Sequence, residues 1–336
     1  MTQALDEVDL TLIHALQIAP RASWAQAGAV LGVSPTVLAE RWARMRAGGL
    51  AWVTAHVNAS APNLIVGFVD VDCLPEARSD VVRRLCRDPR AVTVEEAVRG
   101  RDLQVTVMVP DLPALTRFVL DDLPHVPGVR QSRWRLTTGM HVEASRWRLR
   151  VLGPEQVRAL TAIARQHRGD AGTTPPRDPG DLIEALARDG RLTAAELARL
   201  TGRNAATVRR QLPRLLASGL LSLRCEVAQA HSGSPVCCHW LGRIPVGEHA
   251  RTVQALATMP ELRLCATTTG ETNLMLTAWV RSLTDLLALE RLMAEKLPWL
   301  VIVDSSVTLR AAKRMGWLLD DEGRSTGDVV VNRLGW

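Results

Sequence analysis

The 336-residue sequence predicts an α+β fold made of two tandem copies of one unit, each a three-helix module followed by an antiparallel sandwich. Three observations carry this. The chain matches itself at a near-constant offset, with Leu12-Ile13 against Leu182-Ile183, Arg21 against Arg191 and Gly49-Leu50 against Gly219-Leu220. Within each copy the hydrophobic period starts helical and then alternates. A stretch rich in Gly, Pro, Thr and Asp over 169–180 separates the copies. Further along the offset grows by one, Val109 meeting Val280 and Pro127 meeting Pro298. The expected site of the added residue is the Gly270-Glu271-Thr272-Asn273 loop, read as longer than Gly100-Arg101-Asp102.

Each element follows from local pattern. Over 6–18, Val8, Leu12, Ile13 and Leu16 recur at helical spacing, and Ser23 caps a second helix over 23–31. After Gly32-Val33, Ser34 caps a third helix with Pro35 at its first position, running to Gly48-Gly49. Three helices with a Gly-containing turn before the third make a helix-turn-helix, here winged-helix-like; its second copy spans 181–218, with Thr193 and Asn204 as caps. Strands follow at 64–72, 91–99, 102–109 and 128–140, with helices at 75–88 and 111–123. Copy two repeats them with strands near 235–244, 261–269, 272–280 and 300–311 and helices near 247–258 and 282–297. The order βαββαβ is a ferredoxin-like sandwich. The expected organisation is helix-turn-helix 1 (1–55), sandwich 1 (56–150), a helix at 154–167 and linker (151–180), helix-turn-helix 2 (181–224), sandwich 2 (225–318) and a tail (319–336).

Composition narrows the functional classes. The net charge of +6 permits a polyanionic partner without establishing one. Lys296 and Lys313 are the only lysines, and the arginine excess is of the kind base composition produces; arginine still supplies a donor fork suited to phosphates and guanine edges. Asp6, Glu7 and Asp9 interrupt any basic-then-apolar leader, apolar runs are too short for a membrane helix, and six cysteines show no paired framework, so a cytoplasmic protein is expected. Walker, G-x-G-x-x-G and nucleophile-elbow motifs are absent, so no cofactor and no catalytic residue is assigned. His231, Cys237, Cys238 and His239 lack zinc-ribbon spacing, and adjacent cysteines on one strand point to opposite faces; the expectation is a structural role and no metal.

On a helical wheel Leu38, Trp42 and Met45 form the core face of the third helix, and Val208, Leu212 and Leu215 do so in copy two. The remaining positions are candidates for DNA contact: Ser34, Thr36, Glu40, Arg41 and Arg44 in copy one, and Arg203, Asn204, Thr207, Arg210 and Arg214 in copy two. Glu40 offsets Arg41 and Arg44, whereas the copy-two arginines have no acidic neighbour in their helix, so copy two is expected to contribute more electrostatic binding. Pro213 is expected to kink or shorten that helix.

The opening Leu5-Asp6-Glu7-Val8-Asp9, Leu31-Gly32-Val33-Ser34-Pro35, the Ser34-Pro35-Thr36-Val37 helix entry, Pro127-Gly128-Val129 and the Thr269-Gly270 loop resemble the Lrp/AsnC regulators, twice over in one chain. The resemblance implies a sequence-specific regulator of transcription that binds double-stranded DNA. It also implies a small-molecule effector, an amino acid or related metabolite, held between paired sensor domains. The matching positions are Gly270, Glu271, Asn273, Ser305 and Ser306 in copy two and Gly100 and Asp102 in copy one, where Trp134 takes the place of Ser305 and would fill the ligand space. The sandwiches of one chain are expected to pair with each other, with further association to a homodimer. Two competing readings are a siroheme decarboxylase-like enzyme on the same fold, for which His231 and His239 are the histidine candidates, and an effector-binding module without DNA binding.

Overall fold

The computed structural model describes residues 5–59, 61, 64–97, 101–168, 173–332 and 334. Copy one contains α1 (Glu7–Ile18), α2 (Trp24–Leu31), α3 (Pro35–Ala47), β1 (Ala51–Val57), β2 (Ile65–Cys73), α4 (Arg78–Arg87), β3 (Ala91–Ala97), β4 (Leu103–Val109), α5 (Leu112–Thr116, running into a π turn over Arg117–Asp122) and β5 (Val129–Val142). After α6 (Pro154–Arg168), copy two contains α7 (Gly180–Arg188), α8 (Ala194–Thr201), α9 (Ala205–Ala217), β6 (Leu221–Val227), β7 (Val236–Arg243), α10 (His249–Leu256), β8 (Leu262–Thr268), β9 (Leu274–Val280), α11 (Leu283–Lys296) and β10 (Val301–Arg314). β11 (Trp317–Leu319) straddles the start of the expected tail, which carries β12 (Ser325–Val329). By contacts the chain sorts into two units: Met1–Ala61, Arg148–Ser232 and Arg324–Trp336 in one, Pro62–Trp147 and Gly233–Gly323 in the other. Like therefore groups with like, both helix-turn-helices in the first and both sandwiches in the second.

In the first unit the helices start where side chains satisfy their free N–H groups. Asp6 and Asp9, Ser23 and Gln26, and Thr193 and Glu196 each form a capping box, and the turns before α3 and α9 pass through Gly32 and Gly202 at positive φ. The strand after the third helix of each module is the wing. β1 pairs antiparallel with β6 in a register that sets Thr54 opposite Arg224, its own counterpart in the repeat, so a pseudo-twofold passes between them. Two arginines obey the same symmetry. Arg21 donates to the carbonyls of Gly190 and Leu192, and Arg191 donates to those of Pro20 (2.6 Å) and Ala22 (2.8 Å). α1 is buried on more than the predicted stripe, because the segment between the copies covers it. His14 Nδ1 accepts from the N–H groups of Val151 and Leu152 (both 3.1 Å), Gln17 accepts from Leu149 N–H (2.9 Å), and Leu160 of α6 packs against Ala15 and Ala19. Gly49, at φ +65, faces the Ser325 backbone, whose carbonyl oxygen a Cβ there would clash with.

In the second unit each sandwich buries an alternating face under its own helices. Val69, Val71, Val105 and Val107 pack on Val81, Leu85, Leu115 and Phe118, while Trp240, Leu274, Leu276 and Ala278 pack on Leu256, Leu289 and Met293. The last strands are exchanged. β5 pairs with β2 of its own copy and β8 of the other, and β10 pairs with β7 of its own copy and β3 of the other. Eight strands thus close into a ring in the order β2-β4-β3-β10-β7-β9-β8-β5, and neither copy keeps the sheet edge it would have alone. The face turned away from the helices mixes polar and apolar side chains and meets its counterpart: Gln104 Nε2 lies 3.8 Å from Met275 Sδ, and Arg101 bridges Asp70 (2.8 Å) and Asp304 (3.0 Å).

Strand register corrects the position of the repeat's extra residue. Phe68 faces Thr106 as His239 faces Thr277, and Glu95 faces Gln104 as Ala266 faces Met275, so the longer offset already holds at β2. The added residue lies between β6 and β7. The β3–β4 and β8–β9 connections, 98–102 and 269–273, are equal in length.

Candidate functional site

The two recognition helices have equal length, 13 residues each, and bury the predicted faces: Leu38, Trp42 and Met45 in α3, and Val208, Leu212 and Leu215 in α9. Pro213 does not shorten α9. It sits on the exposed side, so the Arg209 carbonyl that loses an N–H partner can turn to water.

The outward charges differ between the copies, and the cause is only partly the one expected. In copy one Arg41 pairs with Asp6 (2.6 Å) and Asp9 (2.9 Å), Arg44 with Asp9 (3.0 Å) and Arg46 with Asp189 (2.5 Å). The neutralising carboxylates come from outside α3, chiefly from α1, rather than from Glu40, which is exposed. The hydrogen bond from Arg41 holds the Asp6 carboxyl below its ordinary range. Asp9 shares the buried face of α1 with Leu12, Ile13 and Leu16, and a charge at such a position signals a buried partner. In copy two Arg203 is tied to Asp181 of α7 (2.7 Å), to Gln211 and to the Asp178 carbonyl, which bind it to its own fold. Arg209 and Arg210 are exposed and make no hydrogen bond or ion pair to the described residues, while Arg214 reaches only the Thr174 carbonyl, at 3.4 Å. Ser34 and Asn204 cap their helices, accepting from Val37 N–H and from Ala206 and Thr207 N–H. Thr36 is exposed and Thr207 half-buried, each at the entry of its helix.

The loop positions expected to meet an effector have internal duties. Asn273 Oδ1 accepts from Ile244 N–H (2.9 Å), and its Nδ2 donates to the Ile244 carbonyl (2.8 Å), which uses both ends of the amide. Asp102 does the corresponding work in copy one, accepting from Cys73 N–H (2.7 Å) beside Arg78. Gly270 (φ +109) and Glu271 are exposed, with Arg243 donating to the Glu271 carbonyl, and Gly100 lies outside the described residues. Ser305 stands opposite Trp240, on the strand face that packs under the helices, and Ser306 stands opposite His239, on the inner face of the ring. Trp134, the counterpart of Ser305, packs edge-on against Phe118 beneath copy one's own helices. It therefore fills core, not the space between the copies.

Comparison with known proteins places these modules. An AsnC-type helix-turn-helix domain matches residues 5–46, a winged helix-turn-helix DNA-binding domain matches 180–222, and an Lrp/AsnC ligand-binding domain matches 245–318. The chain thus carries two helix-turn-helix domains of DNA-binding type and an Lrp/AsnC ligand-binding domain. Among its relatives are uncharacterized HTH-type transcriptional regulators of Pyrococcus abyssi, 27% identical, and Pyrococcus horikoshii, 26% identical, each over 138 residues that cover 40% of this chain and 87% of the relative. Among solved structures, the siroheme decarboxylase NirDL bound to an iron-uroporphyrin III analogue superposes with a TM-score of 0.58 at 13% identity, covering 92% of this chain and 93% of that one, a likeness of fold alone. No helix among the described residues is long and apolar enough to cross a membrane.

Proposed function

We propose that this chain is a tandem Lrp/AsnC-type transcriptional regulator that binds duplex DNA through two unlike recognition helices, with α9 supplying most of the electrostatic attraction. The carrying observation is the exposed cluster Arg209, Arg210 and Arg214 on a capped helix of a DNA-binding module, without a carboxylate partner, where Arg41, Arg44 and Arg46 of α3 are neutralised by Asp6, Asp9 and Asp189. Free guanidiniums displace counterions from phosphate, and those on the groove-facing side can read guanine edges. Thr36 and Glu40 of α3 present a different chemistry from Thr207 and Arg210 of α9, which supports an imperfectly palindromic operator. A ligand-binding domain that pairs with its own repeat supports an effector acting between the copies, and exposed Gly270 and Glu271 are the loop positions left open to one.

The test is fluorescence anisotropy with duplex DNA from the chain's own promoter across a salt series. Affinity should fall steeply with salt, and Arg210→Ala should weaken binding, lowering the salt slope by about one if the contact is to phosphate. Affinity unchanged between low and moderate salt would overturn the reading.

A further inference from the structure

On the inner face of the ring, three side chains of different chemistry converge from two strands. His239 Nε2 lies 3.3 Å from Glu95 Oε2 and 3.7 Å from Cys237 Sγ, and the three donor atoms all fall within 4.8 Å of one another. All three residues are buried, and Thr308 Oγ1 stands 2.9 Å from the same His239 nitrogen. The other imidazole nitrogen, Nδ1, faces Thr277 Oγ1 at 2.8 Å. A proton placed on Nδ1 donates to that hydroxyl and leaves Nε2, with Thr308, Glu95 and Cys237 around it, as the nitrogen free to ligate, a hydrogen bond of the kind that orients a ligating histidine. The opposite-face rule holds for the neighbouring cysteines, since Cys238 packs among Trp240 and Leu276. That rule does not bear on Cys237 and His239, which, two apart, share a face, and Glu95 reaches them from the other copy. His231 belongs to the first unit and takes no part.

The duplication supplies a control within the molecule. By strand register the counterparts of Glu95, Cys237 and His239 are Ala266, Val66 and Phe68. In that half hydrocarbon fills the same place, and Thr137, the counterpart of Thr308, is left with an unpartnered buried hydroxyl. The ring therefore closes at this position without a thiol, an imidazole or a carboxylate. Exchanging buried polar groups for hydrocarbon is often neutral or stabilising, so a thiol, an imidazole and a carboxylate kept in one half only call for a ligand.

We propose that Glu95, Cys237 and His239 bind a divalent transition-metal ion of the Zn2+ class, bridging the two copies on the inside of the ring, with the Thr308 hydroxyl nearest the fourth position. Sulfur, imidazole nitrogen and carboxylate oxygen are the ordinary zinc donors, and bonds of about 2.0–2.3 Å in a tetrahedron set donor atoms roughly 3.3–3.8 Å apart, close to the spacings here. Thiolate and carboxylate together balance the dication. Arg263 and Arg314 lie over the Trp279 ring, 3.6 and 4.9 Å from its centroid, and bring positive charge near Glu95, which keeps that carboxylate ionised for a metal.

The experiment uses the full chain, stripped with chelator and refolded with Co2+, whose thiolate charge-transfer and tetrahedral visible bands report the ligand set. The wild type should take up a single cobalt ion per chain, displaced by Zn2+. Cys237→Val, and the triple variant Glu95→Ala, Cys237→Val, His239→Phe that copies the other half, should fold by circular dichroism and show no thiolate band, while Cys238→Ala should behave as wild type. A folded wild type that takes up no cobalt, or a thiolate band that survives Cys237→Val, would overturn the assignment. DNA binding is a separate readout, so failure here leaves the regulator reading untouched.

Discussion

Single residues show most clearly what the chain disclosed in advance and what it withheld. The caps at Ser34, Thr193 and Asn204 were legible because a cap is a local event. The partners of Arg41, Arg44 and Arg203 were not, since they come from helices 22 to 35 residues away in sequence. Arg41→Ala should therefore lower stability, read as the urea midpoint, while changing DNA affinity less than Arg210→Ala does. Asn273 was read as a ligand group and serves as a clamp on Ile244. Asn273→Ala should cost about 1–3 kcal/mol for the backbone groups left unpaired, whereas Asn273→Asp, which imitates Asp102, should lose less. His14 is buried and neutral, its pKa pushed down to about 4 by burial first and by Arg148 and Arg150 next. Its folded-state pKa lies below the ordinary 6.5, so the stability it contributes is complete above pH 6.5 and is lost as pH falls toward 4, by about 3 kcal/mol in all. His56, half-buried beside Arg224, has its pKa lowered to about 3 by desolvation first and by Arg224 next, and acts in the same direction. The urea midpoint should drop across that window, and His14→Gln should flatten the drop; an unchanged slope would rule His14 out as its source.

At the scale of elements, period and punctuation located the helices and the eight sandwich strands, because a buried stripe repeats at 3.6 and a half-buried strand at 2, but not β1, β6, β11 or β12. β12 escaped notice: Thr326, Gly327 and Asp328 have little of the β-branched apolar pattern that announces a strand. α9 was expected to kink or shorten at Pro213; it runs on through it unshortened, with Val208, Leu212 and Leu215 anchoring the opposite face through the same turns. The proline still forfeits one backbone bond. Pro213→Ala should accordingly raise the thermal midpoint, with an upper bound of about 3 kcal/mol from helix propensity, and an unchanged midpoint would mean the surroundings already compensate.

For the whole molecule, the duplication was legible from offset identities, but the exchange of β5 and β10 was not. Nothing in a strand's own alternation says which of two equivalent edges it will join. Residues 62–147 expressed alone would leave the edges of β3 and β5 open. That fragment should self-associate to a dimer that rebuilds the ring, measured by light scattering after gel filtration; a monodisperse monomer would contradict the closure by exchanged strands.

The exchange also imposes a timetable on biosynthesis. β3 ends at Ala97 and its partner β10 begins at Val301, so roughly 200 residues must leave the ribosome before that pairing can form. At about 5–20 residues per second the nascent chain waits roughly 10–40 s with a hydrogen-bonding edge exposed. Bare edges are templates for the wrong neighbour, another nascent copy included. Tethering the missing strand to the same polypeptide keeps it at high effective concentration once made. Chaperone dependence and translation speed should therefore govern the yield of this protein more than the stability of the finished ring.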